Sequence, residues 1–332
     1  MHTKLLIALI YGGASSERGI SIKTGQMVSK AIDRSIYKVI ELDGATKSER
    51  SGVQIDDGFK NQTFDEYFEN KSNPKPDLAF PALHGKYGED GGIQTYLDNL
   101  GIKYTFSKAD SSKLAMDKFE SKLMFKKAGL LIAEDVLLKD KVNEQDLVKI
   151  TDLGFPVVVK PSKQGSSFGI TIVKNVQELK KAIFNAFEFD DEVLVEKYIK
   201  GREITVAVLG NKNDLEALPP VEIIPTESEF FDFHAKYNES ACKEICPAEI
   251  SDKLTAEAKR IGLIAHKALN CSGVSRTDII IEEGADKMYV LETNTIPGMT
   301  PASLLPKAAK AAGYSFNELI QKIIDLGLEN AL

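Results

Sequence analysis

The chain is poor in the features that mark several common protein classes. Its three cysteines, Cys242, Cys246 and Cys271, form neither an even set nor a closely spaced zinc pair. Reduced thiols of a cytoplasmic protein are expected, not a disulfide framework or a metal cage. It has no Lys/Arg block and no aromatic-basic ladder, and its formal net charge is −7. Nucleic acid is met by clustered cations and is therefore not an expected partner. No run approaches the roughly 20 apolar residues that span a bilayer, and no membrane partner is expected. The nearest candidate, residues 4–11, runs into Gly12-Gly13 and a charged loop without a small-residue cleavage site, so it reads as a buried first strand. The Gly-x-Gly-x-x-Gly dinucleotide fingerprint and the Walker phosphate loop are both missing. Internal repeats and low-complexity segments are missing too.

At 332 residues the chain exceeds most single cores, and two or three domains are expected. Residues 1–105 alternate strand (5–11), helix (16–31), strands (37–42 and 78–81) and helix (92–100), the pattern of a mostly parallel sheet. Ligands of such sheets sit beyond the carboxyl ends of the strands. Two polar turns occupy those positions, residues 12–19 and residues 84–92, the second with four glycines among nine residues. Ser15 or Ser16 is the candidate N-cap of the first helix. Glu17 stands out because a carboxylate at a strand-to-helix turn can hold a substrate ammonium; an acid favoured by the helix dipole is the alternative.

Residues 106–205 change rhythm, with helices over 116–128, 143–152 and 176–187 and strands over 155–160, 170–173, 192–199 and 201–208. The strand that closes on Lys160 is apolar, and a lysine there needs a partner such as phosphate. The loop that follows, residues 161–169, is rich in Gly and Ser, and its N–H and hydroxyl groups make an anion-binding surface or else a plain solvent turn. In residues 206–332, strands are expected over 204–209, 216–218 and 222–224, and helices over 252–269, 302–312 and 316–328. The stretch 225–247 lacks a period and is long enough to be a lid, with Lys236 and Tyr237 near its centre.

Strands 273–281 and 289–294 are joined at Gly284-Ala285. Side chains two apart share a strand face, which groups Arg276 with Asp278 and Glu292 with Asn294. A hairpin of the two would bring Asp278, Glu292 and Asn294 together, hard oxygen ligands that suit magnesium shared with phosphate. A surface hairpin with scattered polar residues is the other possibility.

Eight stretches in order carry a resemblance: Gly12-Gly-Ala-Ser-Ser-Glu17, His84-Gly-Lys-Tyr-Gly-Glu-Asp-Gly91, Met116-Asp-Lys118, Lys160-Pro-Ser-Lys-Gln-Gly-Ser-Ser167, Glu196-Lys197, Lys236-Tyr237, Arg276-x-Asp278 and Glu292-x-Asn-Thr-x-Pro-Gly-Met-Thr300. With them the chain resembles the D-alanine–D-alanine ligases of the ATP-grasp superfamily, from the first strand nearly to the end. The resemblance implies an α/β, three-domain ATP-grasp architecture: an N-terminal parallel-sheet domain (1–105), a small central domain (106–205) and a C-terminal domain (206–332). It also implies ATP-dependent joining of two D-alanine molecules through an acyl phosphate, for peptidoglycan precursors, by a cytoplasmic homodimer. The implied cofactors are ATP and two magnesium ions, with manganese as a substitute.

Carried over residue by residue, the resemblance puts Lys118, Lys160 and Ser167 with the ATP phosphates, Glu196 and Lys197 around adenine, and Glu203 on ribose. Asp278, Glu292 and Asn294 hold the metals. Glu17, supported by Ser166 and Tyr237, takes the first ammonium, with His84 and Lys236 nearby. Arg276 faces the reacting carbonyl, and Gly298, Ser303 and Leu304 hold the second D-alanine. Gly19, Phe168, Thr293 and Ile296 depart from the usual pattern. A D-alanine–D-lactate or D-alanine–D-serine ligase shares almost every motif, though Tyr237 speaks against lactate. Against a catalytically silent ATP-binding regulator stand the intact metal ligands and Arg276.

Overall fold

The computed structural model describes residues 4–52, 59, 61–139, 142–165, 168–226 and 242–330. Ser166, Ser167, Lys236 and Tyr237, with most of the expected lid, lie outside the described residues.

The first sheet is parallel, in the order β2-β1-β3, with β1, Leu5–Tyr11, between β2, Tyr37–Asp43, and β3, Leu78–Pro81. Both faces of β1 are covered, which is why it reads as an unbroken apolar run. On one side lies α1, Arg18–Ala31. Its Gly25 sits so close to β1 that a Cβ there would fall 2.1 Å from the Tyr11 ring. On the other side α3, Phe64–Glu69, and α4, Gly92–Asn99, bury Phe64, Ile93 and Leu97 against Ala8 and Ile10. The short α2, Lys47–Gly52, precedes them. Because β1 continues into β2 on one side while β3 lies on the other, the sheet has a topological switch between β1 and β3, where a crevice opens.

The helix expected over 116–128 is α6, Lys118–Lys127, and an unexpected helix, α5, Ala109–Met116, precedes it. Asp117 is extended (φ −77°, ψ 101°) and its side chain accepts from Glu120 N, the N-cap geometry that ends one helix and starts the next. This break puts Lys118 at the first position of α6. A four-stranded antiparallel sheet follows, made of β4, Asp135–Lys139, β5, Val157–Pro161, β6, Thr171–Val173, and β7, Glu192–Lys197, in the order β4-β7-β5-β6. With α7, Glu144–Leu153, and α8, Val176–Phe187, it encloses a core of its own that includes Leu138, Ile150, Val157, Leu179 and Val195.

The third sheet is antiparallel. It comprises β8, Gly201–Asn211, β9, Asp214–Ala217, β10, Val221–Pro225, β11, Cys242–Ile245, β12, Gly273–Glu282, and β13, Met288–Asn294. The order is β11-β10-β8-β12-β13, with β9 also on β8. Strand β8 runs unbroken through residue 205, so a boundary there falls inside a strand. β11 arises in the stretch read as loop; its order comes from pairing with β10, Glu222 opposite Ile245, not from a local period. α9, Asp252–Ala268, covers one face with Ala258, Ile261, Gly262 and Ala265 at helical spacing. α10, Leu304–Ala311, and α11, Phe316–Glu329, close the chain. Ile320 and Ile323 of α11 join one core that also contains Ile7, Leu9 and Phe80 of the parallel sheet and Leu209 and Val274 of the six-stranded one. The first and third sheets are thus bound around one core, while the four-stranded sheet keeps its own.

The close approach of α1 to β1 is testable. Gly25→Ala is expected to lose about 1–3 kcal/mol of stability through overpacking, read as a lower melting temperature. Gly19→Ala, where a Cβ meets nothing within 4 Å, is expected to be neutral or slightly stabilising. Equal melting temperatures for the two variants would contradict the packing described.

Candidate active site

A cleft of about 980 Å³ opens at the switch point between β1 and β3 and is closed on the far side by the β12–β13 hairpin and the start of α10. Glu17, His84, Lys118, Arg276, Glu292, Asn294, Gly298, Ser303 and Leu304 line it, residues drawn from nearly the whole length of the chain. Asp278 is joined to this set through Arg276.

The hairpin sets one charged face. Asp278 lies opposite Glu292, and Arg276 opposite Asn294. The register shifts between Asp278 and Ile279, so Leu291 is an extra residue on β13. That bulge lets Val290 turn into the core with Ile279 while Glu292, two residues on, stays on the cleft side. Arg276 grips Asp278 with two bonds, Nε to Oδ1 at 3.0 Å and Nη2 to Oδ2 at 2.9 Å. Thr205 of β8 donates to the same carboxylate at 2.5 Å. Burial opposes the charge of Arg276, but Asp278, Glu292 and Glu89 more than restore it and hold its proton more tightly than usual. Lys118 Nζ is 3.3 Å from Glu292 Oε2 and donates to the carbonyl of Gln164, in the Gly/Ser loop, at 2.5 Å. Among the described residues no three His, Cys, Asp or Glu side chains form a closed metal group. Two carboxylates and an amide on one sheet face are an open donor set, which fits magnesium shared with phosphate.

The opposite wall is built by the loops after β1 and β3. Arg18 forms two 2.8 Å bonds to Asp43 and one to Gly13 O, which pins the first loop. Ser15, a candidate N-cap from sequence, does not cap α1; its hydroxyl donates to His84 O at 2.8 Å and ties the two loops together. Glu17 is 5% exposed, and Gly85 packs so tightly on it that a Cβ would lie 2.6 Å from its Oε2. His84 meets Thr24 Oγ1 at 3.0 Å, and burial keeps its imidazole pKa below the usual value despite the nearby Glu17. Glu89 accepts from Gly85 N at 2.6 Å; burial first, and then the charge of Glu17, push its carboxyl up to about 8.

At the far end Ser303 precedes α10 without capping it. Its hydroxyl meets Thr300 N at 3.1 Å and Thr300 Oγ1 at 2.9 Å, and Gly298 leaves room for it. An uncapped helix N-terminus facing a cleft suits a carboxylate. Lys307, one turn on, pairs with Glu244 at 2.5 Å.

Besides Asp278, four of the expected residues that are described lie outside this lining. Lys160 and Glu196 form a buried pair at 2.6 Å on one face of the four-stranded sheet. Lys197 is exposed at the end of β7. Glu203 shares the β8 face of Thr205, beside Asp278. Sequence reasoning missed Glu89, Thr205, Lys122 and Asp135. Glu89 stood in a glycine-rich loop already singled out, but its burial beside a second acid had no sequence signal.

Residues 6–107 match the family description "D-ala D-ala ligase N-terminus", and residues 124–325 match "D-ala D-ala ligase C-terminus". The D-alanine–D-alanine ligase of Syntrophobacter fumaroxidans is similar at 44% identity over 329 residues, covering 98% of this chain and 99% of that protein. That of Halalkalibacterium halodurans is similar at 39% identity, covering 97% and 99%. Among solved structures, the D-alanine–D-alanine ligase of Bacillus anthracis superposes with a TM-score of 0.80 at 38% identity, over 98% of this chain and 97% of that one. The VanG D-Ala:D-Ser ligase of Enterococcus faecalis gives 0.82 at 32% identity, over 98% and 100%. The B. anthracis enzyme complexed with ATP gives 0.78 at 34% identity, over 99% and 100%.

The raised carboxyl of Glu89 has a consequence for stability. An unfolded glutamate loses its proton near 4.5, whereas the folded protein keeps this one to about 8. The folded state binds more protons in that window, so Glu89 makes stability fall as pH rises through it. Glu89→Gln, neutral at every pH, is expected to flatten the decline in melting temperature between pH 5 and 8. An unchanged slope would contradict the burial of Glu89.

Proposed function

The chain belongs to the D-alanine–D-alanine ligase family, and from that membership we propose that it joins two D-alanine molecules at the expense of ATP. The products are D-alanyl-D-alanine, ADP and phosphate, and the dipeptide serves peptidoglycan synthesis in the cytoplasm. The observation that carries this proposal is the convergence, in one cleft, of a buried acid (Glu17), an arginine paired with an acid (Arg276), a lysine bridging to the Gly/Ser loop (Lys118) and an uncapped helix start (Ser303). Relatives at 39–44% identity over nearly the full length support D-alanine, rather than D-serine, as the second substrate. A division into three domains, near residues 105 and 205, and a homodimeric assembly complete the proposal.

A carboxylate is a poor electrophile and must first carry a phosphoryl leaving group. Glu17 takes the ammonium of the first D-alanine and fixes its carboxylate toward the β12–β13 face. Lys118 and Lys160 leave their acidic partners for phosphate oxygens. Asp278, Glu292 and Asn294 would hold magnesium, which would offset charge on those oxygens. Ser303 and the start of α10 orient the second D-alanine by its carboxylate, so that its amine reaches the acyl phosphate. Arg276 then stabilises the oxyanion that develops. Ser166, Ser167, Lys236 and Tyr237 are assigned to the same site, and Lys197, Glu196 and Glu203 to the nucleoside.

The direct test is phosphate release from ATP with single D- and L-amino acids, with products resolved by mass. Release that depends on D-alanine, and dipeptide that persists against competing D-lactate or D-serine, are expected. Release without D-alanine, or mainly depsipeptide, would overturn the assignment. Arg276→Ala is expected to lower kcat roughly a hundredfold (~3 kcal/mol), and Ser303→Ala to raise chiefly the KM for the second D-alanine. Steady-state kinetics at varied D-alanine checks both.

A further inference from the structure

Lys122 is 1% exposed, where α6 meets the four-stranded sheet. Its ammonium donates to Ala133 O at 3.0 Å and to Glu196 Oε1 at 2.5 Å, and it pairs with Asp135 Oδ2 at 2.6 Å. The other oxygen of Glu196, Oε2, is 2.6 Å from Lys160 Nζ. Asp135 lies directly opposite Glu196 across β4 and β7, and Val158 opposite Glu196 across β5 and β7. Period-two alternation then puts Lys160 on the same sheet face as both acids. One carboxylate therefore carries two lysines, and one of those lysines carries a second carboxylate.

A single lysine would neutralise Glu196. The second matters when the first departs, because a buried carboxylate stripped of its last cation is strongly penalised. Burial works against ionisation of Glu196, yet Lys160 and Lys122 together hold its carboxyl down at about 2. With Lys122 fixed on Oε1, and itself balanced by Asp135, Lys160 can leave Oε2 without orphaning the acid.

We propose that Lys122 is the resident counter-ion of Glu196, a positioning residue that frees Lys160 to take a phosphate of ATP. This rests on the assignment of Lys160 to the nucleotide phosphates. Lys160 exchanges one carboxylate oxygen for one phosphate oxygen, and Glu196 Oε2 becomes an acceptor for an N–H donor of the nucleotide. Lys122 itself touches no substrate.

The test is calorimetric titration of the full chain with a non-hydrolysable ATP analogue and magnesium. Lys122→Met/Asp135→Asn, which removes one charge of each sign, is expected to weaken analogue binding at least tenfold while the KM for D-alanine changes less than twofold. In a Lys160→Met background the same pair of changes is expected to have little further effect, since no lysine then has to be released. Unchanged affinity, or the same loss in both backgrounds, would overturn the proposal. Should the double change prevent folding, Asp135→Asn alone decides. It leaves Lys122 on Glu196, so affinity is expected to stay within threefold, and a tenfold loss would count against Lys122. A wild-type chain that binds no analogue removes the ATP assignment and this proposal with it.

Discussion

A charge withdrawn from water must have a partner, and in this molecule the partners come ready-made in pairs. Arg276 holds Asp278, Lys118 holds Glu292, and Lys160 holds Glu196. Each pair joins a cation assigned to phosphate or oxyanion with an acid assigned to metal or nucleoside. Within each pair the two charges neutralise one another. Under the proposed function, the acids would pass to magnesium as the cations pass to phosphate.

The scaffold explains why the pairs can be so close. Arg276, Asp278, Glu292 and Asn294 come from two adjacent strands, and the bulge at Leu291 keeps Glu292 toward the cleft while Val290 joins the core. The N-cap at Asp117 starts α6 at Lys118. α11 binds the parallel sheet and the six-stranded sheet around one core, which fixes Glu17 and Arg276 relative to each other across the cleft. The four-stranded sheet brings the third pair but keeps a separate core. Lys122 reaches it from α6, and this buried tie links the two parts.

Much of this was legible in the sequence where the signal is periodic. The strand over 5–11 follows from its unbroken apolar run, and the helix over 176–187 and the shared face of Glu292 and Asn294 follow from helical spacing and strand alternation. What was not legible depends on distant partners. Ser15 looks like a cap because its neighbours resemble a helix start, but its hydroxyl is taken by His84 O, 69 residues away. β11 is ordered by β10 and has no period of its own. α5, over 109–116, was not expected, and Asp117 separates it from the helix read over 116–128. Glu89, Lys122 and Asp135 look like ordinary surface charges until burial and a second charge are known, and neither is written in local sequence. Family resemblance supplied the roles of Lys118 and Ser303, which composition and spacing alone left open.

The exchange of internal ion pairs for ligands is tested most directly by calorimetric titration of the protein with a non-hydrolysable ATP analogue, with magnesium present and with magnesium chelated. Without the metal, Asp278 and Glu292 keep their hold on Arg276 and Lys118, and the phosphates must compete for them. The expected result is an affinity at least tenfold lower in the chelated sample. Equal affinity in the two samples would contradict the account.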